Sequence, residues 1–251
     1  MTETAAPTET MPLSRRLLRQ LPLLALVLAI VALVLLALGP LGWRAGWWHY
    51  SVGLQTLMPW SAYCGLAAVA VALLALAIEH PIAVLAFVIG GAIAYVPWHY
   101  NQMRGTTPPI HDITTDWENP PEFHAIMPLR EAAKANSVAY EGAKVSDLQK
   151  KAYPDIAPLT LAPAPVEAFP RALKAAEQMG WTIVATDPAA GRIEASQRSR
   201  WFGFTDDVVI RIAAAGSGSR VDVRSVSRVG RNDFGVNAAR VRGYLAALRG
   251  S

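Results

Sequence analysis

Residues 21–39, LPLLALVLAIVALVLLALG, carry no charged side chain, and a run of that length leaves the chain few options. About 20 apolar residues cross the hydrocarbon of a bilayer as a helix, which satisfies every backbone polar group within one segment. Arg15, Arg16 and Arg19 precede the run. A secretory signal opens the same way, but its apolar stretch is usually about 7–15 residues, so this segment reads as a retained anchor. Two more apolar runs follow at 62–78 and 81–97, separated only by Glu79 and His80. Pro81 suits the first position of a helix, and so short a turn predicts an antiparallel hairpin. Gly90 and Gly91 permit close helix packing. The spans lack the ionisable residues that line a transport path, which argues against a channel or pump.

The chain is 53% hydrophobic and only 17% charged, and the apolar excess is concentrated before residue 100. That distribution predicts a membrane region followed by a soluble domain. The expected boundaries are a disordered, then basic tail over 1–20 and a three-helix transmembrane region over 21–98. A proline-rich extended segment over 99–128 and an α+β domain over 129–251 complete the chain. Between the first two spans lie Trp43, Trp47, Trp48, Tyr50 and Trp60. Amphipathic rings favour the headgroup zone, so they read as an interfacial belt or as an aromatic surface for a lipid or partner helix. Three arginines before the first span outweigh Arg44 in the next loop, which predicts an N-terminus inside. In a bacterial chain this gives an inner-membrane protein with a periplasmic C-terminal domain. The single cysteine, Cys64, excludes an internal disulfide and a thiolate metal cluster. The net charge of +4 is too small to imply more than a mild taste for anionic surfaces.

After the spans, residues 105–128 hold five prolines and few periodic apolar positions, which predicts extended chain. A short helix is expected over 142–152. A clearer one starts near Pro165, with Phe169, Leu173, Ala176 and Met179 on one face and Gly180 as its stop. Four strands follow at 181–187, 192–198, 207–214 and 220–229, then a helix from Asn237 to Arg249. The pattern predicts an antiparallel sheet of about four strands with packing helices.

The chemistry is densest in VRSVSRVGRNDFGVN, residues 223–237. Strand alternation puts Arg224 and Arg228 on one face and Ser225 and Ser227 on the other. The two arginines stand four positions apart, roughly 13 Å along the strand, and their long side chains could reach one carboxylate or phosphate between them. Asp206 and Asp207 on the hairpin partner could instead pair with them as an internal network that fixes the register. Adjacent strand residues face opposite ways, so Asp206–Asp207 is a weak catalytic pair. Asp233 or Asn237 suits the cap of the last helix, whose N-terminus beside Arg224, Arg228 and Arg231 would also welcome an anion. His111, Asp112, Asp116 and His124 could ligate a divalent metal, although their spacing matches no rigid pattern. Trp201, Phe202 and Phe204 form either an apolar plug or an aromatic lip that reaches the membrane surface.

HDITTD, ENPPEF, AYPDI, MGW, WFGFTDDV and VDVRSVSRVGRNDFGVNAARV, in that order, resemble the bacterial family of domain of unknown function 1499. The likeness covers most of residues 108–249, and the three preceding spans resemble its membrane-anchored members. It implies motif positions at His111, Asp112, Asp116, Asp206, Asp207, Arg224, Ser225, Ser227, Arg228, Gly230, Asp233, Gly235 and Asn237. Trp117 departs from the pattern, where a small polar residue is expected. The resemblance carries no reaction or ligand. The expectation is a non-enzymatic envelope protein that binds an anionic or lipid-like ligand or a protein partner, with the bilayer itself as a partner. The alternative is a metal-assisted hydrolase using His111–His124 with Asp206 or Asp207. No cofactor is expected beyond that metal, and no nucleic acid.

Overall fold

The computed structural model describes residues 13–76 and 80–250, in two compact units that divide between Gln102 and Met103. The expected tail over 1–12 and Glu79 of the hairpin turn lie outside the described residues.

The first unit holds helices α1 (Leu13–Arg44), α2 (Met58–Leu76) and α3 (Pro81–Thr106), with a π-helical stretch Val52–Leu57 leading into α2. Three helices are long and apolar enough to cross a membrane: Leu18–Arg44, Val52–Leu76 and Pro81–Thr106. They are longer than the apolar runs because helix continues through the aromatic residues at their ends. Small residues bring them together. Ala25 and Ala29 of α1 pack with Ala68 and Ala72 of α2 and Ala86 of α3. A Cβ on Gly65 would lie 2.7 Å from the Gly90 carbonyl oxygen, so α2 and α3 approach backbone to backbone there. Gly91, by contrast, would meet only Val69, at 3.9 Å. Pro81 opens α3 as expected, and His80 accepts the Ile82 N–H at Nδ1. The aromatic residues make mutual edge contacts, Trp43 with Tyr50 at 5.6 Å and Trp60 with Tyr63 at 5.8 Å.

The second unit is α+β. Its elements are β1 (Asp112–Thr114), α4 (Met127–Ala132), α5 (Ala143–Ala152), β2 (Leu159–Leu161), α6 (Pro165–Gln178), β3 (Thr182–Asp187), β4 (Arg192–Arg198), β5 (Thr205–Ala215), β6 (Gly218–Ser227) and α7 (Val236–Arg249). The antiparallel sheet runs β1-β6-β5-β4-β3, with β2 also on β6. It has six strands where about four were expected. The two additional ones have three residues each, too short for alternation to show. β6 ends at Ser227, before Val229. The expected long helices are present, and α4 begins at the end of the segment predicted as extended, which runs to residue 128.

Strand alternation gives the sheet two unlike faces. Ile113, Ile193, Val208, Ile210, Val221 and Val223 pack against α6 and α7 in the main core. Tyr244 anchors that layer, stacked on Trp181 at 5.1 Å and donating its hydroxyl to the Ala172 carbonyl at 2.9 Å. The opposite face carries only a small apolar cluster, Val209 and Val226 with Phe123 and Ile126. Most of its other positions are charged: Asp112, Glu194, Asp207, Arg211, Asp222 and Arg224. The proline-rich segment and α4 cover it.

Candidate functional site

On the charged face each buried ion meets a partner of opposite sign, as the expense of an unpaired buried charge requires. The fully buried Asp207 sits between two arginines. Arg228 grips it with two N–H bonds, at 2.9 and 2.8 Å, and Arg130 of α4 adds a third at 2.5 Å. Arg224 pairs with Asp112, not with Asp206 or Asp207: its Nε and Nη2 donate to the two carboxylate oxygens at 3.0 and 2.7 Å. The register explains this. Arg224 lies opposite Val209 on β5, whereas β1 brings Asp112 beside Val226. The rings of Phe123 and Tyr140 lie 5.6 and 5.4 Å from the Arg224 guanidinium and close off the pair. Burial, then the Asp112 charge, pushes the Tyr140 hydroxyl up to about 12.

Asp206 points through the sheet to the α7 side. There Arg240 donates to it at 2.6 Å and also bonds Gln197, Ser225 and Asn237. The Asn237 amide bonds the Ser227 hydroxyl at 2.9 Å and the His111 carbonyl at 3.0 Å. The N-terminus of α7 already has an anion of the chain's own. Asp233 accepts the Gly235 and Asn237 N–H groups at 2.9 and 2.8 Å. Gly230 and Gly235 have φ of 88° and 78°, left-handed values that glycine adopts without strain. Burial pushes the Asp233 carboxyl above its usual range.

The four residues suggested for a metal are dispersed among these networks. Asp112 is held by Arg224. Asp116 accepts from Arg211 and Arg220, both at 2.9 Å. Burial works against its ionisation, but the Asn119 amide and the guanidiniums of Arg220 and Arg211 outweigh it and hold the group below its usual range. His111 contributes its backbone carbonyl to Ser227 and Asn237. Among the described residues no three His, Cys, Asp or Glu side chains are grouped to hold a metal ion. Trp117, the departure from the family pattern, lies under the Lys150 ammonium at 4.9 Å. Phe202 is buried and stacks on Phe204 at 5.1 Å, whereas Trp201 is 42% exposed.

This face also carries a cleft of about 300 Å³. Its walls are the Asn119–Glu122 turn and His124 on one side and Ala190, Arg192, Val209 and Arg211 on the other. Glu194 fixes the first wall to the second. This buried carboxylate accepts the N–H groups of His124 and Ala125 at 3.0 Å each and of Ile126 at 2.9 Å. Arg192 lies 3.2 Å from the same carboxylate. Arg130, Glu194 and Arg240 escaped the sequence reading, as did the cleft. Arg240 left a trace, three residues after Asn237 on the buried stripe of the last helix.

A search among curated proteins gives no match. Residues 112–248 match the family model described as Protein of unknown function (DUF1499), and that interval takes in the whole charged face and its cleft. It covers more than half of the chain, which therefore belongs to this family.

Proposed function

We propose that the chain is a membrane-anchored binding protein whose α+β domain lies outside the cytoplasm and takes a small ligand in the Arg192–Arg211 cleft. The cleft carries this reading: a partly open recess, it leaves about a quarter of Arg192 and of Arg211 exposed on a face whose Arg224 and Arg228 are more deeply buried. Arg224 and Arg228, the first candidates for an anion site, are occupied by Asp112 and Asp207. The carboxylates that a hydrolytic reading would employ are held by arginines in the same way.

The flanking charges support an N-terminus inside, three arginines ahead of the apolar run 21–39 against Arg44 beyond it. A phosphatase reporter that works only outside the cytoplasm should be active when fused after Ser251 and silent when fused after Glu79. The reverse pattern would overturn the orientation.

Ligand binding has its own test. Ala190 is exposed in the β3–β4 turn and lines the cleft, so a tryptophan there fills the recess without touching the core. The small-molecule fraction of a cell extract should raise the melting temperature of the full chain in detergent, because a ligand bound only by the folded state stabilises it. Ala190→Trp should abolish that shift. Equal shifts in both proteins, or none in either, would remove the cleft as a binding site.

A further inference from the structure

Arg192 and Arg211 are directly opposed across the β4–β5 ladder. Residues so placed have Cβ atoms roughly 4.5–5.5 Å apart, and like charges there destabilise a sheet. Acids behind each guanidinium relieve part of that repulsion. Arg192 meets Asp187 at 3.1 Å and Glu194 at 3.2 Å, while Arg211 meets Asp116 at 2.9 Å and Asp222 at 3.0 Å. None of these four carboxylates lines the cleft, yet both arginines do. The acids thus hold the two cations in place beside a recess that both arginines line.

Counting donors then narrows the ligand. Arg192 donates Nη2 to Asp187 and sets Nε 3.2 Å from Glu194, and Arg211 uses Nη2 alone. Among the described residues no protein group takes Arg192 Nη1 or Arg211 Nε and Nη1. The two side chains are 25% and 26% exposed, so these donors are partly withdrawn from water and gain from a strong acceptor. His124, on the opposite wall and 53% exposed, can add a fourth donor when its ring presents an N–H. The single acid in the lining, Glu122, lies 4.0 Å from His124 Nε2 but is 82% exposed, where water screens it.

We infer that the cleft binds a phosphate monoester group. A carboxylate has two oxygens to set against these donors. A monoester has three non-bridging oxygens and nearly two negative charges, which match two guanidiniums and the imidazole. Pro120, Pro121 and Val209 supply apolar wall for whatever the phosphate is attached to. The same chemistry is offered by a soluble phosphate ester and by a monoester lipid headgroup. This inference rests on the cleft being a ligand site, as proposed above.

The test uses the full chain in phosphate-free detergent, titrated calorimetrically with inorganic phosphate, glycerol 3-phosphate, short-chain phosphatidic acid and acetate. Phosphate and its monoesters should bind more tightly than acetate. Arg192→Gln should weaken them about tenfold or more, the loss expected for one charge-assisted bond. His124→Ala, at an exposed position, should weaken them several-fold and serves if Arg192→Gln does not fold. Tighter binding of phosphatidic acid than of glycerol 3-phosphate assigns the monoester to a lipid, and the converse to a soluble ester. Equal binding of acetate, or unchanged phosphate affinity in a folded variant, overturns the inference. So does no phosphate binding up to about 1 mM. If Ala190→Trp still abolishes the extract-induced shift in that case, the cleft is a site for a different ligand. If it does not, the binding reading has failed with it.

Discussion

Arg130→Met is expected to destabilise the α+β domain by about 3–5 kcal/mol, the range for removing one partner of a buried ion pair. Arg130 bonds Asp207, which has no exposure to water, so the carboxylate loses a neutralising donor in a place where solvent cannot replace it. Arg228 remains with its two bonds, and should keep the loss from exceeding that range. Burial also lowers the pKa of Arg130 against the opposing pull of Asp207, so without the carboxylate the guanidinium would be strained in turn. For a domain of this size about 1 kcal/mol moves the melting temperature by roughly 2–4 °C, so the variant should melt about 6–20 °C lower. Replacing Arg130, Arg228 and Asp207 together by apolar residues should recover much of the loss, because no stranded charge is left. Arg242→Met is the control. Its partner Asp155 and Arg242 itself are both exposed, and such surface pairs contribute under about 1 kcal/mol. A melting temperature for Arg130→Met as high as that of Arg242→Met would show that the charged face is not what holds the covering segment down.

How far the chain could be read in advance depended on where each interaction's partner lies. The helices α6 and α7 and the strands β3 to β6 show their periods over seven to fourteen residues, or six in β3, although β5 and β6 are buried on both faces. Pairing of Arg228 with Asp207 was accessible because both sit on one hairpin, 21 positions apart. Arg224 with Asp112 was not, because 112 positions separate them and β1 is too short to reveal that it pairs with β6. The caution about Asp206–Asp207 followed from alternation alone, and the two side chains do serve opposite faces. The two-arginine logic applied to Arg224 and Arg228 finds a better instance in Arg192 and Arg211. There the pair lies across two strands, so only the β4–β5 register brings it together. Glu194 was hidden for another reason. Flanked by Arg192 and Ser196 on its face of the strand, it resembles any surface glutamate, and only the chain folding over it makes it a buried acceptor.

Glu194 also connects stability to the cleft, and its removal is expected to separate the two. Three backbone N–H groups, of His124, Ala125 and Ile126, end on this carboxylate just before α4. Buried N–H groups without an acceptor are rare because each costs about 1–3 kcal/mol; the Ile126 N–H is buried and those of His124 and Ala125 partly so, and Glu194→Ala should cost at least about 1 kcal/mol. Much of that cost can be avoided by letting residues 119–126 lift into water, since local openings of this kind are easier than global unfolding. The expected result is therefore regional. In hydrogen exchange, peptides covering 122–127 should lose protection by orders of magnitude, while the β5–β6 hairpin keeps most of its own. Pro120, Pro121 and His124 form one wall of the cleft, so the same variant should lose ligand binding although Arg192 and Arg211 are both present. Glu194→Gln separates charge from shape. It retains one acceptor oxygen but points an N–H₂ at a donor, and should fall between wild type and alanine in both readouts. Unchanged protection over 122–127 in Glu194→Ala would mean that other contacts, such as Phe123 and Ile126 on Val209 and Val226, suffice to hold the wall. The cleft would then depend on apolar packing, and its arginines would be left without a structural link to the chain that covers them.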